Sequence, residues 1–149
     1  MVSQPELLLL FVDDSADDQV LFQTMCRKAG VPFKWVVVES AEQAIAHFES
    51  LLALSRKEPQ SVPWPDLVLL DIVMPGGDGL QVLEFIRVRP ELRPLPVIIL
   101  TGNASPALKE EAYALGVNSF LEKPTKPEEI VELFRRLYSA WVMARRPKL

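Results

Sequence analysis

The sequence predicts an α/β protein with a doubly wound, five-stranded parallel sheet and helices on both faces. Three observations predict it. Short runs that are almost wholly apolar, such as Leu7 to Val12, Leu67 to Leu70 and Val97 to Thr101, read as strands buried on both faces. They alternate with segments of helical periodicity, and a strand-helix alternation with right-handed crossovers closes into one parallel sheet. With 149 residues, 49% of them apolar, the chain has one domain's worth of core-forming side chains over its whole length.

The elements follow in order. Leu7 to Val12 is bounded by Pro5 and by Asp13-Asp14-Ser15. A first helix carries Leu21, Phe22, Met25, Cys26 and Ala29 on one stripe and stops at Gly30 and Pro32. Phe33 to Val38, rich in β-branched and aromatic residues, is the second strand. Ser40 with Gln43 three residues later forms a capping-box pattern for a helix that turns Ala41, Ala44, Ile45, Phe48, Leu51 and Leu52 inward, and His47 lies off that stripe as a surface histidine. Ser55 to Pro65, with three prolines, reads as a stiff irregular loop. Strand Leu67 to Leu70, a loop over Asp71 to Asp78, a helix from Gly79 to Val88 and strand Val97 to Thr101 come next. A fourth helix is capped by Ser105, has Pro106 at its first position and closes at Gly116. A short strand from Ser119 to Glu122, the Lys123-Pro124 break and a helix from about Pro127 to Val142 complete the chain.

Several classes of chemistry are excluded. The longest apolar run has six residues, against the roughly 20 needed to cross a bilayer, so a soluble cytoplasmic chain without membrane contact is expected. A single cysteine, Cys26, and a single histidine, His47, cannot supply a zinc quartet or a strong Ser/His/Asp arrangement. Net charge is −4, and because residues 135 to 149 carry five Lys/Arg and no acid, the remaining chain stands at −9. An acidic body argues against nucleic acid as a partner, and the basic end suits the C-terminal pole of a helix dipole. Chemistry must therefore run on carboxylates, hydroxyls and lysines.

In an open parallel sheet, side chains at the carboxyl ends of the strands share one crevice. Four of the five strands deliver a reactive group there: Asp13 and Asp14 after the first, Asp71 after the third, Thr101 at the fourth and Lys123 after the fifth. Two carboxylates about 4 Å apart repel by roughly 4 kcal/mol at an effective dielectric near 20, so a cation must offset them. Hard oxygen ligands beside a phosphate suit Mg²⁺. Asp71 is placed to attack phosphorus and form an acyl phosphate, with Lys123 and Thr101 to meet the phosphoryl oxygens. A lone Asp after a strand is more often a turn or cap residue. Five such groups in one crevice are not explained that way.

These motifs resemble the receiver domain of bacterial two-component response regulators, the CheY-like family. The likeness runs through Phe-Val-Asp13-Asp14-Ser, Leu-Val-Leu-Leu-Asp71-Ile-Val-Met-Pro75-Gly-Gly-Asp-Gly79, Val-Ile-Ile-Leu-Thr101-Gly and Phe120-Leu-Glu-Lys123-Pro124, over about residues 6 to 140. It implies a flavodoxin-like strand order 2-1-3-4-5 and a single receiver domain over 1-149, with its core at about 6-142. It also implies that Asp71 is the phosphoryl acceptor, that Asp14, Asp71 and the main-chain carbonyl of Val73 hold Mg²⁺, and that Asp13 contributes through a metal-bound water. Pro75 and Gly79 would shape the loop behind the acceptor, Gly102 would leave the phosphate accessible, and the Lys123-Pro124 bond would be cis. Val73 and Asn103 would tune the acyl phosphate lifetime. Thr101 and Phe120 would be the switch pair, Phe120 having ordinary core filling as its other reading. A sensor histidine kinase is the implied donor, and a downstream protein reads the surface of the fourth helix, fifth strand and fifth helix.

The long loop at 55-65, the long last helix and the lack of an output domain point to stand-alone regulators of phytochrome-type kinases. That last helix has more apolar positions than one stripe needs, from Ile130 to Val142. The excess fits a homodimer or partner interface, or a cover formed by the N-terminal segment or the proline loop. Two rival functions are a docking module that keeps the fold without phosphorylation, and a Mg²⁺-dependent phosphohydrolase. The second requires an Asp two residues after the nucleophile, where this chain has Val73.

Overall fold

The computed structural model describes residues 5-74, 77-102 and 105-144. Strands β1 (Leu7–Val12), β2 (Phe33–Val38), β3 (Leu67–Leu70), β6 (Val97–Thr101) and β7 (Ser119–Glu122) form one parallel sheet in the order β2-β1-β3-β6-β7. This is the 2-1-3-4-5 order, since the two labels between β3 and β6 belong to a separate pair, β4 (Val73–Met74) and β5 (Gly77–Asp78). That antiparallel pair lies inside the segment expected to be a plain loop. Two-residue strands are too short to leave a periodic signal.

The helices are α1 (Ala16–Ala29), α2 (Ala41–Lys57), α3 (Leu80–Val88), α4 (Pro106–Ala114) and α5 (Pro127–Ala144). Successive strand residues point to opposite faces, and the core divides accordingly. Leu10, Val12, Val68, Leu70, Val97 and Ile99 meet α2, α3 and α4 on one face. Leu9, Phe11, Leu67, Leu69, Ile98 and Leu100 meet Phe22, Met25 and Cys26 of α1 and Ile130, Phe134 and Leu137 of α5 on the other.

The caps follow the sequence closely. The Ser15, Ser40 and Ser105 hydroxyls accept from the amides of Asp18, Gln43 and Leu108. The capping box is displaced by one residue: Gln43 Oε1 accepts from Glu39 N at 2.8 Å instead of from Ser40 N. Helix α2 runs two residues beyond the expected loop start, through Arg56 and Lys57, because both are good helix formers and the first breaker is Pro59. Of the loop, Pro59–Ser61 forms a single 3-10 turn, and Val62 and Trp64 pack on the α2/α3 side of the core.

Much of the apolar excess on α5 has a use within the fold. Val131, Leu133 and Trp141 pack against the α1-side core, and the Tyr138 hydroxyl donates to Pro5 O at 2.7 Å. The N-terminal segment therefore reaches this helix, as one of the two readings had it. Of the five basic residues near the chain's end, Arg135 and Arg136 sit in the middle of α5 and not at its C-terminal pole. The other three, Arg145, Arg146 and Lys148, lie outside the described residues.

Candidate functional site

Parallel pairing brings the strand ends to one level: Val12 pairs with Leu70 and with Val38, and Thr101 with Glu122. Asp13, Asp71, Thr101 and Lys123 therefore leave the sheet on the same edge. Main-chain bonds fix this exit, Asp13 N donating to Val38 O, Asp71 N to Val12 O and Lys123 N to Thr101 O, at 2.9 to 3.0 Å. Asp13 and Thr101 are fully buried and Asp71 nearly so, while Asp14 is exposed.

Carboxylate oxygens of Asp13, Asp14 and Asp71 lie within 4.8 Å of one another, as groups that could hold one metal ion. Three hard oxygen donors with no sulfur or nitrogen among them suit a magnesium-like cation better than zinc or copper. The arrangement fits the ion the sequence implied.

Lys123 Nζ bridges the carboxylates, donating to Asp13 Oδ2 at 2.5 Å, to Asp18 Oδ2 at 2.7 Å and to Asp71 Oδ2 at 3.2 Å. Burial alone would pull the Lys123 pKa down, but its bonds to Asp13 and Asp18 and the charges of Asp13 and Asp71 outweigh it, leaving the ammonium above its ordinary value. Burial pushes the Asp13 carboxyl up, against the opposing pull of Lys123 and of the Ser15 amide. The lysine thus stays charged at neutral pH.

Gly79 is required by space. A Cβ there would lie 2.5 Å from Ile72 Cα and 2.9 Å from Asp71 O, so only glycine lets α3 start against the segment that carries Asp71. A Cβ on Gly102 would meet nothing within 4 Å, and this residue is exposed at the rim. Phe120 is buried in the α2/α3/α4-side core. Pro75 and Asn103 lie outside the described residues, and the Val73 backbone is in β4.

One expectation is corrected. There is no cis peptide bond among the described residues, so Lys123-Pro124 is trans. An X-Pro bond prefers trans by about 0.5 to 1 kcal/mol, and in trans Lys123 keeps both its amide bond to Thr101 and its reach to the carboxylates, so nothing in the packing demands the other isomer.

The structure also adds Asp18, which the sequence reading did not single out. Sequence alone does not separate it from Asp17, since both are first-turn acids of α1, and its place on one helix face with Phe22 gains meaning only once Lys123 packs beside that face.

A family model for the response regulator receiver domain matches residues 9–135. The chain belongs to that family. Among curated receiver proteins, the response regulator Rcp1 of Synechocystis is 27% identical over 140 residues, which cover 94% of this chain and 92% of Rcp1. Among solved structures, the phosphorylated cyanobacterial phytochrome response regulator RcpA superposes with a TM-score of 0.78 at 25% identity, covering 95% of this chain and 98% of RcpA. The receiver domain of the sensor histidine kinase PA1611 from Pseudomonas aeruginosa, solved with a magnesium ion coordinated in its active-site cleft, gives 0.65 at 27% identity, covering 91% of this chain and 99% of that one. Among the described residues of this receiver, no helix is long and apolar enough to cross a membrane.

Proposed function

We propose that this receiver accepts a phosphoryl group from a histidine kinase onto Asp71 and signals through the surface of α4, β7 and α5. The observation that carries the reading is the position of Asp71: nearly buried, beside Asp13 and Asp14, with the Lys123 ammonium 3.2 Å from its Oδ2. In the step, an Asp71 carboxylate oxygen attacks the phosphorus of a phosphohistidine. The P–N bond breaks, its electron pair stays on the imidazole nitrogen, and Asp71 becomes an acyl phosphate. Lys123 faces the negative charge on the phosphoryl oxygens, and the buried Thr101 hydroxyl at the neighbouring strand end is positioned to donate to one of them. Asp14, Asp71 and the Val73 carbonyl, with Asp13 through a water, would hold Mg²⁺. The ion supplies charge neutralisation at the phosphoryl oxygens.

Phosphorylation replaces the single negative charge of the Asp71 carboxylate with the close to two carried by the phosphoryl oxygens, beside Thr101 and Lys123. Both residues connect directly to β7, since Thr101 pairs with Glu122 and accepts from the Lys123 amide. Phe120 is already in the core, so its part in a switch must be an exchange of one buried packing for another. Tyr113 on α4 and Leu121 on β7 are exposed on this side, where a partner can read the change. The likeness to the phytochrome response regulator RcpA favours a phytochrome-type kinase as donor.

Asp71→Asn tests the reading. Incorporation of labelled phosphate from acetyl phosphate or a cognate kinase should vanish while the far-ultraviolet circular dichroism spectrum is unchanged. Labelling at the wild-type level would overturn the acceptor assignment and favour the docking-module reading.

A further inference from the structure

Lys123 has more partners than the metal-competent carboxylates supply. Its three ammonium protons meet three carboxylates, and one of them, Asp18, is not among the three acidic residues that cluster closely enough to share an ion. Asp18 comes from the first turn of α1, where its amide is held by the Ser15 hydroxyl at 3.2 Å. An acid there also suits the helix dipole, but Asp17 serves that purpose equally, is exposed and makes no ion pair among the described residues. One turn further along α1, the ring centroid of the buried Phe22 lies 5.8 Å from Lys123 Nζ. Helix α1 thus offers the ammonium a carboxylate and an aromatic face on one side of the crevice.

We propose that Asp18, backed by Phe22, is a positioning residue that seats the Lys123 ammonium beside Asp71 during phosphoryl transfer. The proposal rests on Asp71 as the acceptor. When Asp13 and Asp71 turn their oxygens to a cation or a phosphoryl group, the ammonium loses two of its three carboxylates. Asp18 remains, because it takes no part in that cluster. Its side chain is 36% exposed against 12% for Lys123, so it anchors the lysine from the solvent side and leaves the inner side of the ammonium to the phosphoryl oxygens.

The test has two arms on the full chain. In metal-free protein, an amine-acylating ester is applied at neutral pH, and modification of Lys123 relative to the exposed Lys109 is read by mass spectrometry. Asp18→Asn should raise Lys123 modification about threefold or more, and Asp18→Glu should restore protection. With magnesium and acetyl phosphate, Asp18→Asn should label Asp71 about three to ten times more slowly, with Asp18→Glu recovering most of the rate. Unchanged Lys123 modification in Asp18→Asn overturns the seat. Raised modification with a labelling rate equal to or above wild type overturns the positioning role. No labelling of the wild-type protein overturns the acceptor reading instead, and the acylation arm still decides whether Asp18 holds the lysine.

Discussion

The two ends of the same five strands treat polar side chains in opposite ways. At the amino ends, Asp66 Oδ2 accepts from Leu8 N at 2.8 Å and Asn118 Oδ1 accepts from Val97 N at 2.8 Å. Arg87 donates from Nε to Gly116 O, from Nη1 to Arg93 O and Leu95 O, and from Nη2 to Asn118 Oδ1. Most of these partners are main-chain groups that cannot move without unfolding a turn. At the carboxyl ends, Asp13, Asp18 and Asp71 are tied together by one ammonium on a four-carbon stem. A side chain held by backbone is committed to the fold; Asp13 Oδ1 is fixed in that way by the Ser15 amide at 2.8 Å, but the Oδ2 atoms that meet the flexible ammonium can exchange it for a metal ion or a phosphoryl group. The amino ends therefore fix the sheet, and the carboxyl ends remain open to chemistry.

The largest expected effect on stability comes from cutting the amino-end network. Arg87→Ala removes four charge-assisted bonds and leaves carbonyls around Gly116 without their partner. Gly116 sits there with φ of +95°, and a Cβ on it would lie 3.2 Å from Arg87 Nε, so the turn is fitted to this guanidinium. The cost should be about 2 to 4 kcal/mol, seen as a lower urea midpoint. Labelling by acetyl phosphate should persist below the transition. Loss of labelling in folded Arg87→Ala protein would break the division between the two ends.

Lys123→Ala should do the reverse. Desolvation of the ammonium offsets part of its attraction to the carboxylates, so its removal in the presence of magnesium should cost less stability than the loss of Arg87. Some labelling should survive, while the change in amide hydrogen exchange that labelling produces in α4 and β7 should disappear. A normal exchange response in this variant would remove Lys123 from the coupling.

The fold was legible because each level of the sequence agreed. Leu67 to Leu70 is apolar at every position and is buried on both faces, and Ser105-Pro106 starts α4 where the cap and proline placed it. The five groups at four strand ends were legible for a topological reason: parallel strands deliver their next residues to one edge whatever lies between them in sequence. Side-chain partnerships across elements were not. Asp18 reads in sequence as an ordinary first-turn acid, Arg87 as an ordinary last-turn base of α3, and only the packing of α1 beside β7's end, or of α3 beside the Gly116 turn, selects one acid and one base from several. The hairpin of β4 and β5 escaped for want of length, and the Lys123-Pro124 isomer escaped because the resemblance carried a family geometry onto a bond that the sequence itself leaves undecided.

Helix α1 contains the comparison in miniature, since Asp18, Phe22 and Cys26 lie four residues apart along one face running from the crevice into the sealed core. Asp18 is solvated and paired; Cys26 is buried, and burial pushes its thiol up from an ordinary value near 9 to about 11. Between those values the unfolded chain has lost the thiol proton and the folded chain has kept it, so unfolding is increasingly favoured as pH rises. The contribution is fully present below pH 9 and should decline by roughly 2 kcal/mol toward pH 11. Cys26→Ala carries a constant cavity cost but lacks this slope. Denaturant titrations of both proteins from pH 8 to 11 should therefore converge, and at pH 8 a thiol-specific disulfide reagent should react with the native wild type only as fast as it unfolds. Parallel curves, or reaction at the rate of a free thiol, would show that the face opens to solvent below Phe22 and that the boundary between the solvated and sealed parts of α1 lies deeper than one turn.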